Sequence, residues 1–361
     1  LMIAGNSVAN SKGKKTDKRP NILVILADDL GYSDLGCYGS EIHTPNLDKL
    51  AQQGVRFNHF YNASRSCPTR ASLLTGLYQH QAGIGRMTFD DNLPGYRGTL
   101  SRNAVTIAEV LKESGYTTSM IGKWHVAETP LRKDQREWLA HHVYHDTYSD
   151  LCHYPVNRGF DSHYGTIYGV VDYFDPFSLV EGEVPVKEVP EGYYITQALS
   201  DRAAEEVTEY AKDDKPFFMY LAYTAPHWPL HALPEDIEKY KDTYKVGWEA
   251  IRNARYERQK QLGIFPGMDD FLSERQFKDR WEDNAHAEWD ARAMAVHAAM
   301  IDRMDQGIGQ VIDALEKTGQ LDNTLILFLS DNGCSNENCQ NYSPGENDRP
   351  DMTRKGEKMV Y

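Results

Sequence analysis

The chain has 361 residues, 40% of them hydrophobic and 25% charged, enough for one large domain or two smaller ones with real cores. Its formal net charge of −14 excludes a general binder of nucleic acid or anionic membrane, so an anionic ligand must be met by local positive charge. Five cysteines make no disulfide scaffold, no His/Cys spacing reads as a zinc site, and no apolar run approaches the length of a membrane-spanning helix.

Leu1 to Asn10 are short, small and apolar, and a basic linker follows from Lys12 to Arg19. This stretch reads as the tail of an export signal, which predicts a periplasmic or extracellular protein; a floppy terminus is the other reading. Ile22 to Ala27 form a short continuous apolar run, as expected of a strand buried on both faces of a parallel sheet. A helix follows, with Thr44 as its cap, Pro45 at its first position, Leu47, Leu50 and Ala51 as its inner stripe and Gly54 at its end.

The segment from Ser66 to Gly76 predicts another helix. Pro68 is tolerated in a first turn, Ser66 is a favoured N-cap and Gly76 stands where a C-terminus is expected. Ser66 and Arg70 then share one face, and free N–H groups together with a forked guanidinium suit a tetrahedral oxyanion. An ordinary capped helix is the plainer reading of the same residues.

Ala104, Ile107, Ala108 and Leu111 predict a helix between Asn103 and Gly115, ahead of a strand from Thr117 to Ile121. A helix around Ile195 to Lys212 leads into a strand at Pro216 to Tyr223. A long helix from about Glu288 to Lys317, with Met300, Ile301, Met304, Ile308, Val311 and Leu315 on one side, precedes a strand at Leu325 to Leu329. The alternation is α/β, without an internal repeat.

Ligands of open α/β sheets gather beyond the carboxyl ends of strands. Here those ends carry Asp28-Asp29, Lys123-Trp124-His125, Ala225-Pro226-His227 and Asp331-Asn332. The two acidic pairs supply oxygen ligands suited to Ca²⁺ or Mg²⁺, although a single such pair reads as well as a turn. Joined by Arg70, Lys123, His125 and His227, they predict a cationic pocket for a sulfate or phosphate ester. Trp138 to Tyr154 and Asp172 to Phe177 read either as lining for a sugar or aryl group or as loop packing. In an exported protein Cys334 can pair with Cys339, and Cys37 with Cys152.

The Ser66-Cys67-Pro68-Thr69-Arg70 segment and its Ser-Leu-Leu-Thr-Gly continuation resemble the signature of type I sulfatases, and the resemblance covers most of the chain. It extends over Asn21 to Gly36, His43 to Asp48, Gly122 to His125, Arg158 to Asp161, Ala225 to Leu230, Arg292 to Met294 and Ser330 to Gly333. It implies an alkaline-phosphatase-like α/β sandwich, with a mostly parallel central sheet flanked by helices. Residues 1–20 would be signal remnant and linker and 21–361 the catalytic domain, with the family's smaller C-terminal subdomain missing.

Counted back from Pro68 and Arg70, the position that the family oxidises to formylglycine is Ser66, and Cys67 falls in the variable slot. A serine there fits a serine-type sulfatase or a replaced cysteine. The resemblance further implies Ca²⁺ held by Asp28, Asp29, Asp331, Asn332 and residue 66, with Arg70, Lys123, His125 and His227 serving sulfate and leaving group. The implied partners are a sulfated small molecule or glycan and a formylglycine-generating maturation enzyme, with no nucleic acid and no membrane span. A second family lysine has no matching context; Lys355 and Lys358 are not assigned to it. Two other readings stand beside this one: a phosphomonoesterase or phosphodiesterase using Ser66 directly with two zinc ions, and a non-catalytic sulfoglycan-binding protein.

Overall fold

In the computed structural model, residues 2–4, 19–128, 148–266, 272–273 and 280–335 are described. Their strands are β1 (Met2–Ala4), β2 (Asn21–Ala27), β3 (Val55–Arg56), β4 (Thr117–Gly122), β5 (Ser162–Thr166), β6 (Leu179–Glu181), β7 (Val184–Pro185), β8 (Phe217–Ala222) and β9 (Thr324–Ser330). All join one sheet in the order β3-β1-β9-β2-β8-β4-β5-β6-β7. The middle strands β9, β2, β8, β4 and β5 are mutually parallel, and antiparallel pairs close both edges. This follows from sequence: every residue of β8 (Phe217–Ala222) is buried, and an unbroken apolar strand needs cover on both faces.

The cover comes from helices α1 (Pro45–Gln53), α2 (Ser66–Thr75), α3 (Ile107–Glu113), α4 (Ile195–Tyr210), α5 (Pro234–Glu238), α6 (Trp248–Gln261) and α7 (Ala287–Lys317). Helix α4 packs on β4, β5 and β8 and against α7, which also carries α1 and α5. The two long helices meet at Gly307, where a Cβ would stand 2.0 Å from Ser200 Oγ, so no larger residue fits the crossing.

Three helix starts differ from the sequence expectation. Arg65, not Ser66, is the N-cap of α2, and Ser66 is its first helical residue. Thr44 does occupy the N-cap of α1, but its hydroxyl accepts the Gly36 N–H (2.9 Å) and donates to Asp48 (3.2 Å). The free N–H groups of Asn46 and Leu47 instead meet the carboxylate of Asp305 on α7, at 3.2 and 2.8 Å. Helix α3 begins later than its apolar spacing suggests. Thr106 and Glu109 close a reciprocal capping box there (3.1 and 2.7 Å), leaving Ala104 buried but outside the helix.

Cys37, Cys67, Cys152 and Cys334 form no disulfide, so the expected Cys37–Cys152 pairing does not occur; Cys339 lies outside the described residues, as do Lys355 and Lys358. Within the aromatic stretch from Trp138, residues 138–147 also lie outside, while Tyr148 and Tyr154 are buried.

Candidate active site

Because β2, β8, β4 and β9 run parallel, the loops leaving them open on one side of the sheet, and the start of α2 joins them there. One turn of helix brings Arg70 Nε to 3.0 Å from Ser66 Oγ. Arg70 is fully buried and spends its fork on several acceptors: Asp331 Oδ2 (3.0 and 2.8 Å), Asp28 Oδ1 (3.3 Å) and the Lys123 carbonyl (2.9 Å). Lys123, also fully buried, pairs through Nζ with the other oxygen of Asp28. Burial works against the Arg70 charge, but Asp331 and Asp28 outweigh it and raise its pKa.

The carboxylates divide in the same way. Burial pushes Asp28 up, yet Lys123, His227 and Arg70 together hold it below the usual carboxylate range. Asp331 is raised, first by burial and then by the Asp28 charge beside it. Asp29 accepts from the Asn332 side-chain amide, and its own N–H donates to Asp331 Oδ1 at 3.2 Å. Asp29 (φ 62°) and His125 (φ 53°) both adopt the left-handed region that most side chains avoid. Such backbone persists only where the surroundings enforce it, and each of these residues follows closely on a strand end.

His125 sits between the first two residues of α2, with Nδ1 3.4 Å from Ser66 Oγ and Nε2 3.3 Å from Cys67 Sγ. Gly169 makes room for it, because a Cβ there would fall 2.2 Å from His125 Cε1. Burial pushes the Cys67 thiol up to about 12, so at neutral pH it is a protonated, sealed side chain and no thiolate nucleophile. His227 places Nδ1 2.5 Å from the Trp228 carbonyl, which can only accept, so Nδ1 carries a proton. Its Nε2 faces Asp29 Oδ2 at 3.5 Å.

Oxygens of Asp28, Asp29 and Asp331 lie within 4.8 Å of one another, and all three residues are buried. Three buried carboxylates against two buried cations leave negative charge uncompensated. An all-oxygen donor set with such a deficit fits a hard divalent cation. Asn332 currently turns its amide nitrogen to Asp29, and reversing that amide offers its oxygen as a further donor.

Every site residue expected from sequence therefore converges: Asp28, Asp29, Ser66, Arg70, Lys123, His125, His227, Asp331 and Asn332. The stretch from Asp172 to Phe177 acts mainly as packing. Tyr173 and Phe177 are buried, and the Tyr173 hydroxyl lies 2.7 Å from the carbonyls of both Thr224 and His227, tying down the histidine loop. That positioning role and the clearance at Gly169 were missed in the sequence, where neither carries a local signal. Arg158, part of the Arg-Gly-Phe-Asp segment, donates to the carbonyls of Leu100 (3.1 Å) and Ala104 (2.7 Å) and so braces the loop before α3.

Two buried cations and three buried carboxylates gather at the carboxyl edge of a helix-flanked parallel sheet, which defines an α/β protein with its charged cluster at the strand ends. The chain belongs to the Sulfatase family, whose family model matches residues 20–354. It is 35% identical over 342 residues to an arylsulfatase of Klebsiella aerogenes, covering 93% of this chain and 69% of that protein. An N-acetylglucosamine-6-O-sulfatase of Bacteroides thetaiotaomicron is 29% identical over 384 residues, covering 91% and 60%. Among solved structures, Ps i-CgsB in complex with k-i-k-neocarrahexaose superimposes with a TM-score of 0.60 at 32% identity, over 88% of this chain and 59% of that one. The chain thus spans about six to seven tenths of the length of these relatives.

Proposed function

We propose that the chain carries the active site of a sulfuric ester hydrolase acting on a sulfated carbohydrate, with formylglycine at position 66 and one Ca²⁺. The observation that carries this reading is Ser66 Oγ held between Arg70 Nε (3.0 Å) and His125 Nδ1 (3.4 Å) at a helix start, beside three buried carboxylates. The arylsulfatase and N-acetylglucosamine-6-O-sulfatase names of its relatives support sulfate esters, and the second of these supports a sugar.

Asp28, Asp29, Asp331 and Asn332 would hold the cation, which when bound supplies Lewis-acid charge to sulfate oxygens. Formylglycine, once made from Ser66 by a maturation enzyme, would supply a hydrated aldehyde with two hydroxyls, one to take the sulfate and the other, on losing its proton, to expel it as the aldehyde is restored, an exit that a plain serine lacks. The chain's own residues do the remainder. Arg70 and Lys123 neutralise negative charge on the sulfate as the ester bond breaks. His125, within reach of the residue-66 oxygen, takes up its proton. His227, whose Nε2 stands 3.5 Å from Asp29 Oδ2, is the residue placed to pass a proton to the departing alcohol. The balance is that of hydrolysis: ester and water give alcohol, sulfate and a proton.

No helix among the described residues is long and apolar enough to cross a membrane. The reading is tested by supplying the calcium-loaded, matured protein with sulfated oligosaccharides and, separately, with phosphate monoesters. Release of inorganic sulfate with little phosphate is expected. Zinc-dependent phosphate release in its place overturns the reading, and tight binding of the sulfated sugar without turnover would make the chain a binding protein.

A further inference from the structure

A second cluster of ligand-type side chains stands where three segments meet: Asp34 in the loop after β2, His297 on α7 and Cys334 in the loop after β9. A carboxylate oxygen, an imidazole nitrogen and the sulfur lie within 4.8 Å of one another. His297 is only 9% exposed, and its Nδ1 is sealed from solvent with no hydrogen-bond partner among the described residues. A buried imidazole nitrogen left in that state is costly unless something else meets it.

The neighbours hold the other ligands in place. Asp34 is 5% exposed and is oriented by Arg255 Nη1 (2.5 Å on Oδ1) and by the Gly31 N–H (2.9 Å on Oδ2), which leaves a lone pair of Oδ2 open. Arg255 is also claimed by Glu41 at 2.8 and 2.7 Å, so two carboxylates face one guanidinium. Gly31 keeps the three segments close; a Cβ there would lie 2.5 Å from Asp34 Oδ2 and 3.3 Å from Cys334 Cβ. Cys334 itself is exposed, so a path from solvent exists.

We propose that Asp34, His297 and Cys334 form a second metal site, for a borderline or soft divalent cation of the zinc class. Sulfur, imidazole and a single carboxylate are the donors such ions select, whereas calcium prefers the all-oxygen cradle. The metal takes the place of the thiol proton, which leaves to solvent, and a water completes a tetrahedral set. Asp34 lies five residues after Asp29, and Cys334 three after Asp331. A cation here therefore ties both loops that carry the catalytic carboxylates to the long helix α7. The site does not depend on formylglycine or on turnover, so it stands or falls apart from the sulfatase reading.

The test is a titration of the reduced, full chain with Co²⁺ in calcium-containing buffer, followed by competition with Zn²⁺. One equivalent of cobalt is expected to give near-ultraviolet thiolate-to-cobalt absorption that stoichiometric zinc displaces. Cys334→Ser, at an exposed position, should abolish that absorption while circular dichroism stays native. His297→Gln should weaken zinc binding by more than about tenfold. Cys152→Ser, which removes the thiol of the other Asp–Cys–His grouping at Asp150 and His153, should leave the band intact. A folded wild-type chain that shows no thiolate absorption overturns the proposal. So does a band that survives Cys334→Ser and vanishes in Cys152→Ser.

Discussion

The two ends of the central strands are built from opposite chemistry. At the amino end, Asn21 of β2 accepts the Phe217 N–H (3.1 Å) and extends its amide to Gln320 and Thr324 (both 3.4 Å), joining three neighbours with neutral groups. At the carboxyl end of the same strands, the ionisable side chains of Asp28, Arg70, Lys123 and Asp331 are all fully buried. A satisfied neutral amide is an inexpensive way to fix strand register, whereas buried ions cost several kcal/mol each in lost hydration. Folding needs the first arrangement. The second makes sense as a site that keeps its charges dry and oriented for an anion and a cation.

Substitutions at the two ends should separate these roles. Arg70→Met leaves Asp28 and Asp331 buried without their main cation, so a loss of about 3–5 kcal/mol in denaturant unfolding is expected, together with loss of sulfate affinity. If the variant were as stable as the parent, the charged end would not be the strained region described here. Gly169→Ala is predicted to displace His125 from Ser66 and lower kcat of the matured protein by about 100-fold, a larger effect than its change in stability. Unchanged kcat would remove His125 from the reaction. Asn21→Ala, at the neutral end, should cost only about 1–3 kcal/mol and leave kcat per folded molecule intact.

Asp305 sharpens the contrast, because it is a buried carboxylate used for structure alone. Burial outweighs its bonds to Asn46 and Leu47 and raises it from 3.8 to about 6. A folded pKa above the unfolded one means that the native state binds the extra proton. The resulting stability is fully present below pH 3.8 and is lost as pH rises through 6. From pH 4 to 7 the stability gap between wild type and Asp305→Asn should therefore narrow by about 2 kcal/mol. A gap that widens with pH would contradict the assignment.

His163 on β5 runs the other way. Burial lowers it to about 4, and its contribution is lost as pH falls from 6.5 through 4. The two groups oppose one another in the wild type, so removing Asp305 should also steepen acid unfolding.

The charged end was legible in sequence because its residues sit at fixed offsets from strong local signals. Apolar runs end at Asp28, Lys123 and Asp331, and the spacing of Ser66 and Arg70 puts them on one helix face. Contacts between distant segments were not legible. Asp305 caps a helix some 259 residues earlier, and Asp34, His297 and Cys334 converge from three separate elements without any recognisable spacing. Gly169 serves by having no side chain, which leaves nothing to read. The start of α3 was readable from the Thr106-to-Glu109 box, but the apolar spacing of Ala104 drew the boundary outward.

Intact-peptide mass spectrometry across Ser66, paired with sulfate-release rates from the same preparations, tests the central claim most directly. Preparations whose residue 66 has lost two hydrogens should release sulfate, while those retaining an unmodified serine bind the sulfated sugar and turn over poorly. Equal rates from both would contradict a mechanism that runs through formylglycine.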